Sequence, residues 1–379
     1  MAEPQSRVEP GFEAVREAFA ANFARHGEVG AACCLYRGGR CVVDLWGGLA
    51  DRDAGRAWHE GTLALVFSAT KGVTALCLNR LVERGELDLD APIGSYWPEF
   101  AARGKGAITP RQVLSHRAGL AAVDGELTLP QVLAWDPVVA AIAAQAPNWE
   151  PGSAHGYHAR SFGWILGELV RRITGRSLGT WFAEEMAKPL AIDFWIGLPA
   201  SQLGRLANLI PPEGGSDRVA ELLGSSSLTA RVMNGPSDLF HYDAMWNRPE
   251  LLAAEMPSSN GVGDARALAR LYAATIGEVD GIRLLAPETV AAACVPHSDG
   301  PDRVILRPSR FGLGFALPPF LVPGCGPRSF GHPGAGGSLG FADPDAQIGF
   351  GYAMNEMRFD LAGDPRAVGL VEAVYRSLG

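Results

Sequence analysis

Ser68-Ala69-Thr70-Lys71 places a hydroxyl and an amine one helical turn apart, on the same helix face. A free serine hydroxyl is a poor nucleophile. A neighbouring amine or ammonium takes its proton or lowers the cost of its alkoxide. An apolar run ends at Phe67, and Val73, Leu76, Cys77 and Leu81 follow at helical spacing. Ser68 therefore falls at a helix start, where the dipole favours developing negative charge. Lysine is scarce here (Lys71, Lys105 and Lys188), and a first-turn lysine gains nothing from the dipole. Taken alone the motif is weak, because chance produces it in roughly one such chain in six. Ser68 as a helix cap and Lys71 as a solvated residue is the competing reading.

Two further segments carry chemistry. Tyr157 sits in Pro151-Gly152-Ser153-Ala154-His155-Gly156-Tyr157-His158-Ala159, a glycine-bearing loop before a helix. A phenol beside a lysine ionises more easily and can act as a base; the alternative is a tyrosine capping the core edge. Phe330-Gly331-His332-Pro333-Gly334-Ala335-Gly336-Gly337-Ser338 lets a backbone approach a ligand closely, and an amide there can donate to an oxyanion. The alternative is a tight bend between strands. Gly336-Gly337-Ser338-Leu339-Gly340 also matches G-x-S-x-G, the nucleophile elbow, which needs a helix after it. Phe341-Ala342-Asp343-Pro344-Asp345 reads instead as strand and turn, and no histidine follows His332 to complete a triad. Ser338 is therefore rejected as nucleophile.

The elements that must position these residues follow from periodicity. Phe12–His26 reads as an amphipathic helix, and Val29–Tyr36 and Arg40–Trp46 as strands joined at Gly38-Gly39. Cys33 and Cys34, neighbours on the first strand, face opposite sides. Thr109, Pro110 and Gln112 form a capping-box signature for a helix ending near Gly119. Gln131–Gln145, Phe162–Thr174 and Asp264–Ile276 read as helices. Phe311–Leu317, Ser329–His332, Ser338–Ala342 and Gln347–Asn355 read as strands, before a closing helix over Asp364–Leu378. The expected fold is α/β of the α+β type: one antiparallel sheet from both chain ends, flanked by helices, with an inserted helical lobe. This divides the chain into an α/β domain of residues 1–95 and 251–379 and a mainly helical lobe of residues 96–250. The active site is expected in the cleft between them.

Composition narrows the function class. The chain has 379 residues, 47% hydrophobic and 20% charged, with a formal net charge of −8 that argues against a nucleic-acid partner. Six cysteines show no CxxC spacing, so neither a zinc site nor a disulfide framework is expected. No apolar run reaches the roughly 18 residues that span a bilayer. The N-terminus lacks the pattern of a secretory signal, so the expected location is cytoplasmic. Among the aromatics, Trp149, Phe240, Tyr242 and Trp246 can line a cleft, although lobe packing is the default for them, as a structural role is for His116 and His241.

In order, Ser68-Ala69-Thr70-Lys71, Tyr157 and His332-Pro333-Gly334 make the chain resemble the serine β-lactamase and penicillin-binding-protein superfamily, nearest to class C β-lactamase-like esterases (family VIII carboxylesterases). The resemblance spans roughly residues 12 to 378. It implies a β-lactamase/transpeptidase-like fold and a serine hydrolase that cleaves carboxylic esters of small or short acyl groups. It implies Ser68 as the acylated nucleophile, Lys71 as its proton-tuning partner and Tyr157 as base. The amides of Ser68 and Ala335 would form the oxyanion hole, and His332, Gly334 and His158 would contact substrate. It implies a small-molecule ester as partner and no cofactor, metal or membrane; no oligomeric state is assigned. Two departures matter: Tyr157-His158-Ala159 stands where the family has Y-x-N, and His332-Pro333-Gly334 where it has K-[ST]-G. Both remove groups that hold a β-lactam and favour neutral esters. The alternatives are β-lactamase or D-amino-acid peptidase activity, acyl transfer, or a binding protein that kept the fold.

Overall fold

The computed structural model describes residues 5–212, 218–358 and 363–379. A seven-stranded antiparallel sheet draws on both ends of the chain. β1 (Gln5–Val8), β2 (Gly30–Arg37) and β3 (Arg40–Asp51) come from the first end. β4 (Phe330–Pro333), β5 (Leu339–Asp343) and β6 (Ile348–Met354) come from the last. The spatial order is β1-β3-β2-β6-β5-β4, with Arg56–Ala57 pairing on β3. β2 and β6 join the two halves, in register from Ile348 opposite Arg37 to Met354 opposite Ala31. The β2–β3 hairpin turns at Gly38 and Gly39, with φ of 53° and 77°, the left-handed pair that a two-residue turn requires.

Five longer helices position the rest: α1 (Glu13–Arg25), α2 (Thr70–Glu83), α3 (Ser161–Thr174), α4 (Ala265–Ile276) and α5 (Pro365–Leu378). The alternation along β2 explains the layering. Ala31, Cys33 and Leu35 enter the core shared with α1 and α5, while Ala32, Cys34 and Tyr36 enter the core shared with α4. Gly349 and Gly351 of β6 face α4. A Cβ at either would collide with the backbone of Ala265, Ala269 or Ala273. Their missing side chains let α4 lie directly on the sheet.

On the far side of that layer, α2 is buried along almost its whole length, from Thr70 to Asn79 and at Leu81. It packs against α3 and touches β4. The expected fold class therefore holds.

Three local expectations change. Gln131–Gln145 is two helices, Leu129–Leu133 and Asp136–Ala144. The break is at Trp135, with φ of 69°, just before the Asp136-Pro137 start. The helix after Thr109 has its capping box but ends at Leu114 rather than near Gly119, because His116 turns to φ of 59°. Only the first residue of Phe311–Leu317 is strand, in Pro308–Phe311, which pairs with Ser298–Pro301. Gly312 and Gly314 then pack their backbones against Ala293 and Ala75, leaving Ala316 as a single bridge to Gly331 on β4.

Candidate active site

Ser68 occupies a 3-10 turn, Phe67–Ala69, that runs straight into α2. Phe67 adopts φ of 44°, uncommon for a bulky residue and a mark of a backbone held by its surroundings. The hairpin between β4 and β5 does that holding. Ser338 Oγ donates to Val66 O at 2.8 Å. Gly334 lies so close that a Cβ there would strike the same carbonyl. Ser338 is thus a buried strut beside Ser68, its hydroxyl already committed to a backbone carbonyl.

Around Ser68 the three ordered motifs converge. Tyr157 OH donates to Ser68 Oγ at 2.8 Å, and Lys71 Nζ lies 3.2 Å from the same oxygen. Lys71 Nζ also donates to Ala159 O at 2.7 Å and Ser258 O at 2.9 Å. Lys71 is fully buried, and burial, reinforced by the Arg160 guanidinium, holds its amine well below the usual lysine range. Burial pushes the Tyr157 phenol up, against the Ser68 hydrogen bond. Both shifts favour neutral forms.

Tyr157 is fixed from behind. Its amide donates to Asp302 Oδ1 at 3.0 Å. The same oxygen accepts from the amides of Val304 and Ile305, and Oδ2 accepts from Ser309 Oγ at 2.9 Å. The Tyr157 ring packs on His116, with centroids 5.1 Å apart. His116 Nδ1 accepts from the His158 amide at 3.1 Å, and burial pushes its pKa far down.

His158 is not in contact with the cleft. It is buried behind Tyr157, its Nε2 accepting from Leu120 N at 3.1 Å and its Nδ1 donating to Gly156 O at 2.7 Å. Both ring nitrogens serve the backbone, and burial lowers the ring to about 4. The expected substrate contact at His158 is therefore replaced by a loop-bracing role.

His332 does line the cleft, with Gly334 and Ala335. Its Nδ1 donates to Pro333 O at 2.7 Å, so Nε2 carries the lone pair, and that nitrogen has no partner among the described residues. Burial, then Lys71, lowers it to about 3. At neutral pH it is an uncharged acceptor. Neither the Ser68 amide nor the Ala335 amide donates to another group among the described residues. Both residues line the cleft, and two such amides could donate to an oxyanion.

The cleft encloses about 410 Å³. Phe67, Tyr242 and Trp246 form one wall, with Tyr242 and Trp246 set edge-on to Phe67 at 5.6 and 5.1 Å. These two aromatics belong to the site and not to lobe packing alone. Trp149 instead packs on His158, and Phe240 is buried behind Trp246. Arg160 also lines the cleft. Sequence reading passed over it and Asp302: Arg160 has only its place three residues after Tyr157 as a signal, and Asp302 has none.

Residues 15–373 match the family described as Beta-lactamase. The esterase/beta-lactamase LipL of Mycobacterium tuberculosis (strain ATCC 25618 / H37Rv) is 37% identical over 360 residues, 92% of this chain and 82% of that relative. A family VIII carboxylesterase of known structure superposes with a TM-score of 0.87 at 39% identity, covering 99% of this chain and all of that one. EstA from Arthrobacter nitroguajacolicus Rue61a superposes with a TM-score of 0.89 at 35% identity, covering 99% and 98%. With a family match over nearly its whole length and Lys71 and Tyr157 each within hydrogen-bonding reach of Ser68, the chain belongs to the Beta-lactamase family.

Proposed function

We propose that this protein is a carboxylesterase that hydrolyses esters of small or short acyl groups through an acyl-enzyme on Ser68. The carrying observation is that Ser68 Oγ lies between an amine and a phenol, 3.2 Å from Lys71 Nζ and 2.8 Å from Tyr157 OH. Lys71 Nζ donates to Ala159 O and Ser258 O, so once the amine gives up its third proton its lone pair faces Ser68. Lys71 then takes the Ser68 proton as Oγ bonds to the ester carbonyl. Burial keeps the Tyr157 phenol protonated in the free enzyme, so Lys71 is the better placed first base.

Negative charge on the carbonyl oxygen is met by the Ser68 and Ala335 amides. The alcohol leaves with a proton relayed through Tyr157 OH, which Lys71 restores. Water then attacks the acyl-enzyme as its proton follows the same route back, and Ser68 regains its hydrogen. His332 accepts a hydrogen bond from the alcohol or from water. The aromatic wall of Phe67, Tyr242 and Trp246 supports the short-acyl preference. LipL and EstB are named esterases, which agrees with the reading. Six free cysteines, two with sulfurs 3.8 Å apart, fit a reducing cytoplasm.

Intact-protein mass spectrometry after a phosphonate ester tests the nucleophile. One adduct is expected on Ser68 and none on Ser68→Ala; an adduct on Ser338, or none, overturns it. Nitrophenyl acetate and nitrocefin run side by side test the substrate class, with ester turnover expected to dominate.

A further inference from the structure

Among the cleft's charged residues, Arg160 alone is a buried cation. Arg307, Arg310 and Arg358 line the same cleft, with Asp299 and Asp364 as the acids. Asp299 is 3.3 Å from Arg310, and Asp364 is 2.7 Å from Arg366. The cleft is therefore rich in guanidinium groups although the chain carries a net charge of −8.

Arg160 is 5% exposed, and no carboxylate lies within ion-pair distance of it among the described residues. Burial lowers it only to about 10, so it stays charged at neutral pH. Among the described residues its Nη1 makes all of its hydrogen bonds, donating to Met233 O at 2.6 Å and at longer range to Gly235 O and Val232 O. The guanidinium also lies over the Phe240 ring, 4.6 Å from its centroid. Nε is buried with no partner, and Nη2 makes no hydrogen bond among the described residues. The Nε–Nη2 edge is the fork that a carboxylate takes with two parallel hydrogen bonds. A buried cation without an anion is expensive to keep, and Arg160 lines the cleft from which an anion would come.

We infer that the Nε–Nη2 edge of Arg160 is a subsite for a carboxylate carried by the ester substrate. This rests on the carboxylesterase reading and refines its substrate class. His332 lines the cleft as an uncharged group, so the buried positive charge there is that of Arg160. Burying Arg160 with its partner in place would strengthen the pair relative to water.

The test compares matched esters on the full chain. With the charge on the acyl side, monoethyl succinate is set against ethyl succinamate. With the charge on the alcohol side, 4-carboxyphenyl acetate is set against 4-carbamoylphenyl acetate. In at least one pair kcat/KM should favour the carboxylate by about ten-fold or more, the worth of a charge-assisted pair. The favoured pair identifies which side of the ester Arg160 reads. Arg160→Met should bring that ratio to about one, whatever it does to the absolute rate, and Arg160→Lys should retain part of it. Should Arg160→Met fail to fold, a fall of at least about three-fold in the ratio for Arg160→Lys replaces it, since a point charge forfeits the fork. A wild-type ratio near one in both pairs overturns the proposal, as does a preference that the Arg160 variants leave unchanged. Turnover of 4-nitrophenyl acetate by the wild type separates these outcomes from failure of the esterase reading, which would abolish every ester activity at once.

Discussion

Two serines compete for the chemistry, and their surroundings decide between them. Ser68 meets an amine and a phenol, whereas Ser338 spends its hydroxyl on Val66 O. Ser338→Ala should therefore lower stability by about 1 kcal/mol, the worth of one hydrogen bond, while phosphonate labelling of Ser68 persists. Urea unfolding and mass spectrometry check both parts. The lowered Lys71 gives a second expectation. If neutral Lys71 is the base, kcat/KM for nitrophenyl acetate rises with pH as that amine loses its proton. Removing the positive charge in Arg160→Met raises the lysine's pKa, so the acidic limb moves to higher pH. A limb that stays put or moves down refutes this. Ser68, Lys71 and Tyr157 were legible because their types and order are rare in combination. Arg160 was not, because lacking a partner is a property of the folded surroundings. Asp302 was hidden by its separation of 145 residues from the amide it fixes.

Among the elements, those set by local rules were readable. The Gly38-Gly39 turn and the Thr109–Gln112 capping box both depend on residues within a few positions of one another. The failures lie where packing overrides periodicity. Trp135 breaks a helical pattern and donates its indole N–H to the buried Glu168 at 2.9 Å. Gly312 and Gly314 bend an apolar stretch away from the sheet so that α2 can approach. The α4–β6 contact gives a prediction at this scale. Gly351→Ala forces a methyl group into the Ala265 carbonyl and should cost about 1–3 kcal/mol by overpacking. The urea midpoint should fall with the slope unchanged; an unaltered midpoint would show that α4 can lift without cost.

For the molecule as a whole, buried neutral imidazoles set the acid limit. His332 is lowered to about 3, His158 to about 4, and His116 lies well below its ordinary value, all chiefly by burial. Unfolding frees each to bind a proton below about pH 6.5. Their stabilisation is complete above that pH and is lost as pH falls toward 3 to 4. Where all three differ in protonation, the unfolding free energy should drop by about 1.4 kcal/mol per pH unit for each. Urea titrations from pH 8 to pH 4 should show this slope, and His332→Gln should remove one histidine's share. A flat profile between pH 6 and pH 4 contradicts it.

The pairing of β2 with β6 has a consequence for how the enzyme is made. A ribosome releases Ser68, Lys71 and Tyr157 long before Ala335 and the strand that seals β2. Until then the nascent chain carries the proposed nucleophile without half of the proposed oxyanion hole, and a central strand with a bare edge. On the proposed mechanism hydrolytic competence is thus withheld until residues 335–354 have emerged, and the half-made sheet must be kept from pairing with its neighbours in the meantime.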